Sequence, residues 1–143
     1  MPEKKKTLID VSIRQTWHRI ARMYNQKALS YEMTMSAGFI LMYVEKKGSP
    51  STSLGPRMGM EPTSLSRTLK TMESQGLIRR EISVEDKRKV LIFLTSKGVE
   101  KRRMVREFLL DFNKMIDDNL SNKAKEGFYE TINTIDELTQ KID

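Results

Sequence analysis

The sequence contains no cysteine. That excludes disulfides, thiolate metal sites and thiol-based redox sensing together, and it suits a reducing cytoplasm. His18 is the only histidine. A metal centre built on several imidazoles is therefore not expected, and no metal is assigned. No run of about 18 apolar residues occurs, so neither a membrane span nor a membrane partner is expected. The first ten residues, MPEKKKTLID, are basic but lack a following apolar core, so they do not read as a secretory signal. Neither a phosphate-binding glycine loop nor a nucleophile elbow is present. The adjacent carboxylates Glu85 and Asp86 fall in a polar turn, where acid–base chemistry gains nothing. An enzyme is not expected, and no cofactor is implied. Internal repeats and low-complexity linkers are also absent.

The chain has 143 residues, 38% of them hydrophobic and 31% charged, with a net charge of +7. This describes a helix-rich globule, either one ordinary domain or two thinly built lobes, rather than a disordered chain. The charge is unevenly spread. Residues 1–60 carry ten Lys/Arg against four Asp/Glu, and residues 61–106 carry twelve against six. Residues 107–143 reverse the balance, with four against nine. A basic body with an acidic last segment favours an anionic partner, nucleic acid first. A merely solvated basic surface would have the same composition.

Residues 8–30 place Ile9, Ile13, Trp17, Ile20, Tyr24 and Ala28 on one helical stripe. A second helix is expected from a Thr34 cap, apolar on most sides and stopped by Gly48. The stretch GSPSTSLGPRMGMEP follows. There Ser49 is expected to cap a short helix with Pro50 in its first turn, and Pro56 to shorten or kink it. Pro62 opens the next helix, which ends at Gly76, giving a helix-turn-helix pattern. Beyond Gly76 the period becomes two, predicting strands at residues 78–82 and 90–94 joined by a charged turn. Thr95 and Ser96 can cap a long helix, and Ser121 a last one.

On the helix opened by Pro62, Leu65, Leu69 and Met72 share one side. The opposite side presents Thr63, Arg67 and Lys70, flanked by Ser64 and Ser66, with no acid among them. Hydroxyls and cations are the groups that bond phosphates and base edges, and Arg can bind guanine bidentately. In residues 83–95, SVEDKRKVLIFLT, a charged cluster abuts an apolar strand. Burying that strand pushes Lys87, Arg88 and Lys89 outward on a projecting hairpin. Such a hairpin can reach a minor groove, with Asp86 orienting Arg88. An ordinary solvated turn would carry the same charges.

Residues 65–98 contain the spacing Leu65…Leu69…Met72, then Gly76-Leu77-Ile78-Arg79-Arg80, Asp86-Lys87-Arg88 and Leu94-Thr95-Ser96-Lys97-Gly98. In these motifs, and in helix order over about residues 8–140, the chain resembles the MarR (multiple antibiotic resistance regulator) family of winged helix-turn-helix regulators. The resemblance implies a mainly α fold with a β-hairpin wing. It divides the chain into an N-terminal dimerisation helix (1–30), a DNA-binding winged domain (31–98) and C-terminal dimerisation helices (99–143). It implies a cytoplasmic homodimer that binds a pseudo-palindromic operator in double-stranded DNA, acting as a repressor. The DNA contacts would be Ser53, Arg57, Thr63, Ser64, Ser66, Arg67, Lys70, Asp86, Lys87, Arg88 and Lys89. A non-specific architectural nucleic-acid binder is the alternative.

Many members of that family respond to small aromatic anions held between dimerisation helices and winged domain. By resemblance, a pocket here would draw on Arg14, Trp17, His18, Arg22, Phe39, Met42, Tyr43, Met104 and Phe108. Met and aromatic residues at helical spacing would equally serve as plain core. One departure stands out: where the family has Leu-Ala and helix formers before the recognition helix, this chain has Leu54-Gly55-Pro56-Arg57.

Overall fold

The computed structural model describes residues 7–142. The basic stretch at residues 1–6, including the start of the 1–30 segment, lies outside the described residues. Two units are distinguished, one ending at Arg106 and the other beginning at Glu107, so the boundary falls within one long helix.

In the first unit, α1 (Ile9–Ser30) begins after an extended Leu8, with Asp10 in its first turn. An Asp10–Arg14 pair at 3.4 Å spans one helical turn. The chain leaves α1 through Glu32, whose φ of 61° is left-handed. Thr34 caps α2 (Met35–Tyr43) by accepting a hydrogen bond from the Ala37 amide at 3.1 Å. Ile40 and Leu41 are fully buried, as the all-round apolar composition of α2 requires. The helix stops at Tyr43, not at Gly48 as expected. Gly48 instead closes the following turn with φ 90°, its amide donating to the Glu45 carbonyl.

Ser49 and Pro50 do not begin a helix. They form the edge strand β1 (Ser49–Pro50), paired antiparallel with β3 at Ile92 and Leu91. An edge strand is where a residue without an N–H costs least. The Ser49 hydroxyl accepts from the Glu45 amide at 2.9 Å. Helix α3 (Ser51–Met58) then runs through Pro56 for two further residues. Gly55 makes this tolerable. A residue before proline avoids helical geometry because of its Cβ, which glycine lacks. A Cβ on Gly55 would also come within 3.2 Å of the Met60 carbonyl oxygen. Gly59, with φ 64°, ends the helix.

Helix α4 (Pro62–Ser74) buries Leu65, Leu69 and Met72, the three residues of the expected inner side. β2 (Ile78–Ile82) and β3 (Val90–Leu94) form the hairpin, in register Ile78↔Leu94 to Ile82↔Val90. The sheet therefore has three strands in the order β1-β3-β2, one more than the hairpin read from sequence. Alternation along β2 buries only Ile78. Leu54, Leu69, Met72, Leu77 and Ile92 complete the centre of the core, each stabilising it by about 1.5–3 kcal/mol through burial.

Thr95 joins the hairpin to α5 (Ser96–Asp118). Its hydroxyl accepts from the Gly98 amide at 3.1 Å and donates to the Gly76 carbonyl. Gly98 lies so close to Leu77 that any Cβ there would strike the Leu77 carbonyl oxygen. In the second unit, α6 (Asn122–Gln140) is capped by Ser121, which accepts from the Ala124 amide. Lys125 and Asp117 pair at 2.7 Å across the turn between the helices. Much of the apolar surface of this unit is exposed, including Leu110, Met115, Phe128 and Leu138.

Candidate nucleic-acid interface

The face of α4 opposite its buried side carries Thr63, Ser64, Ser66, Arg67 and Lys70, all exposed. Periodicity dictates this: burying residues 65, 69 and 72 turns the others outward. Neither Arg67 nor Lys70 is ion-paired among the described residues. The hydroxyls of Thr68 and Thr71 instead donate back to the carbonyls of Ser64 and Arg67. Glu61 supplies no side-chain cap, so the first amides of α4 keep their donor capacity beside those hydroxyls.

The hairpin turn is internally braced. The Asp86 amide donates to the Ser83 hydroxyl at 3.3 Å, and the Lys89 amide to the Asp86 carbonyl at 2.9 Å. The Ser83 amide closes the neck on the Lys89 carbonyl. Asp86 Oδ1 accepts both the Arg88 amide at 3.1 Å and the Arg88 Nε at 3.2 Å. These bonds from Arg88 hold the Asp86 carboxyl below the usual carboxylate range, with Lys89 adding a smaller effect in the same direction. The Arg88 side chain is nevertheless 91% exposed. Lys87 and Lys89 are exposed beside it.

Other cations are committed to the protein itself. Arg80 pairs with Glu73 of α4 at 3.4 Å. Arg79 bonds Glu81 at 2.6 Å and stacks on Phe93 with 4.5 Å to the ring centroid. Lys97 caps the end of α4 through the Gln75 carbonyl at 2.9 Å. Ser53 donates its hydroxyl to the Pro50 carbonyl at 2.8 Å. Arg57 is exposed but lies 4.8 Å over the Tyr43 ring.

The residues named for a ligand pocket are less concentrated. Arg14, Trp17, His18 and Arg22 are exposed on α1, and Arg14 pairs with Asp10. Phe39 meets Tyr24 edge to face at 6.0 Å, and burial pushes the Tyr24 hydroxyl pKa up. Tyr43 lies beneath Arg57, while Met42 and Met104 are half-buried. Phe108 belongs to the second unit. A cleft of about 320 Å³ lies elsewhere, its lining including Leu29, Glu32, Met33, Arg67, Thr71 and Met72. Sequence reasoning passes over this cleft because it depends on the left-handed turn at Glu32.

Comparison with known proteins gives a consistent result. A model of the MarR family matches residues 33–90. The HTH-type transcriptional regulator TtmR of Methylorubrum extorquens is 32% identical over 82 residues, 57% of this chain and 42% of that one. The chain thus spans less than half the length of that relative. The organic hydroperoxide resistance transcriptional regulator of Bacillus subtilis is 31% identical over 99 residues, 67% of each chain. In structure, the chain superposes on MepR from the S. aureus MepR–DNA complex with a TM-score of 0.83, covering 91% of this chain and 97% of that one. At 18% identity that likeness is one of fold.

Proposed function

This chain belongs to the MarR family of transcriptional regulators, and from that premise we propose that it binds a pseudo-palindromic DNA operator as a homodimer and represses transcription. The observation that carries the reading is the pairing of two unlike cationic elements. One is the acid-free outer face of α4, with Arg67 and Lys70 unpaired among the described residues. The other is Arg88, exposed yet oriented by Asp86 on a braced turn. A helix of this kind suits a major groove, where Arg67 reads a base edge and Thr63, Ser64, Ser66 and Lys70 bond base edges or phosphates. A pre-oriented Arg on a narrow hairpin suits the adjacent minor groove. Lys87 and Lys89 add phosphate contacts. Ser53 and Arg57 take lesser parts, since Ser53 is tied to Pro50 and Arg57 to Tyr43.

The dimer is supported by apolar surface. On α1, Ile9, Ile13 and Trp17 are exposed along one stripe, and on α6, Phe128 and Leu138 are exposed on a shared side. Neither stripe is covered within its own unit, and a two-fold partner would bury both. Two copies of α4 would then demand half-sites about one helical turn apart. Release by a small aromatic anion belongs to the same proposal. Arg14, His18 and Arg22 recur every four residues along α1 beside Trp17, a row of nitrogen donors next to an aromatic ring.

The test is fluorescence anisotropy with labelled duplexes tiling the DNA upstream of the protein's own gene, against random duplex, over a salt series. One tile bound about a thousandfold tighter than random DNA supports the operator reading. Equal binding to all tiles, lost steeply with salt, replaces it with a non-specific architectural role.

A further inference from the structure

The hairpin carries two side chains that charge does not explain. Ile82 is 68% exposed at the end of β2, and Val84 is 95% exposed two residues further on. Between them Ser83 is buried, its hydroxyl accepting from the Asp86 amide. A solvated turn has no need of β-branched apolar residues. Their exposure is therefore a feature to be accounted for.

Their position is fixed by the strand. Along β2, residues 78, 80 and 82 share one face, because side chains alternate. Ile78 is buried, and Arg80 pairs with Glu73 of α4, so this is the face toward α4. Ile82 continues the same face beyond the reach of α4. Arg79 and Glu81 occupy the other face, where Arg79 stacks on Phe93. Ile82 thus extends the α4 side of the hairpin outward, and Val84 follows it in the bend beyond the strand. The apolar pair adjoins a turn bearing Lys87, Arg88 and Lys89, all exposed.

We infer that Ile82 and Val84 pack against the deoxyribose walls of the minor groove that Arg88 enters, supplying a salt-independent part of operator affinity; this rests on the DNA-binding reading above. The three cations select a polyanion as the occupant of this surface. Within a nucleic acid, the apolar surface beside the phosphates belongs to the sugars lining the groove. β-branched side chains have few χ1 rotamers and lose little freedom on docking. The hydrogen bonds of the turn hold both residues in place before contact. Cationic contacts weaken as salt rises through counterion release, whereas burial of apolar surface does not.

The experiment compares Val84→Thr and Ile82→Thr, each retaining the β-branched shape, with the wild-type dimer and with Arg88→Ala. Affinity for the operator duplex is measured by anisotropy across a salt series, and mass by analytical ultracentrifugation. Each Thr variant is expected to bind about fourfold more weakly at every salt concentration, which is ~0.8 kcal/mol, with the slope of log affinity against log salt unchanged. Arg88→Ala is expected to lower that slope by about one. Wild-type affinity in both Thr variants overturns the inference while leaving operator binding intact. A Thr variant that keeps its affinity but loses a higher assembly state reassigns the pair to a protein contact and also overturns it. A wild-type protein that binds no duplex overturns this inference together with the reading beneath it.

Discussion

The Arg88 guanidinium donates through Nε to Asp86 Oδ1 at 3.2 Å, yet the Arg88 side chain remains 91% exposed. The aspartate thus orients the arginine without occupying its outer nitrogens. Removing the arginine should weaken operator binding at least tenfold and reduce the salt slope by about one, with the dimer intact. Unchanged affinity for Arg88→Ala, measured by anisotropy, would remove the hairpin from the interface.

Asp86 acts mainly through the Arg88 guanidinium and, by accepting the Arg88 amide, also braces the turn. Asp86→Ala should cost about two- to fivefold in operator affinity, and clearly less in an Arg88→Ala background, where only the bond to the residue 88 amide is left to lose. Additive losses in the double variant would show that the two residues act separately.

The same pair sets a pH limit. Because Arg88 holds the Asp86 carboxyl below its usual range, the bond is fully formed above the ordinary carboxylate pKa. It is lost only as pH falls through the lowered value. Its contribution to binding should therefore be flat between about pH 8 and pH 5 and begin to fall only below about pH 4. A titration of wild type against Asp86→Ala reads this out. A difference between them that fades already near pH 6 contradicts the lowered pKa.

Arg67 should behave differently from Arg88. If it reads a guanine, Arg67→Ala costs about 1–3 kcal/mol on the operator and much less on duplexes altered at that base pair. Equal loss on every sequence makes it a phosphate contact.

Gly98 tests the fold independently of DNA. A methyl group there meets the Leu77 carbonyl oxygen, which is backbone and cannot swing aside. Gly98→Ala should lower stability by about 3 kcal/mol in denaturant unfolding. Gly48→Ala faces a positive φ and the Phe93 ring within 2.6 Å, and should also destabilise. Wild-type midpoints in both would contradict these packings.

The legible parts of the structure were those with a period. The 3.6-residue spacing of Leu65, Leu69 and Met72 placed the outer residues of α4, and Pro62 marked its start. The period of two placed both strands of the hairpin, and the caps at Thr34, Thr95 and Ser121 were visible as hydroxyls before helical stretches. What lacked a period was missed. β1 is a Ser-Pro dipeptide whose pairing with Ile92 and Leu91 is decided some forty residues away. α3 runs through Pro56 because Gly55 precedes it, a local relief that the proline alone conceals. The sequence also gives no sign that Arg79 and Arg80 are taken up by Glu81 and Glu73. Such pairings arise in three dimensions and leave no mark in a charge count.

Thr95 bonds the carbonyl of Gly76, and the Thr95 amide bonds that of Leu77. The two ends of the β2–β3 excursion are therefore fastened together at its root, between the end of α4 and the start of α5. Changes of length at the tip are absorbed beyond that fastening and do not shift α4. The hairpin beyond that clasp is thus a part that can be altered at its tip while the Arg80–Glu73 pair nearer the root still ties β2 to α4.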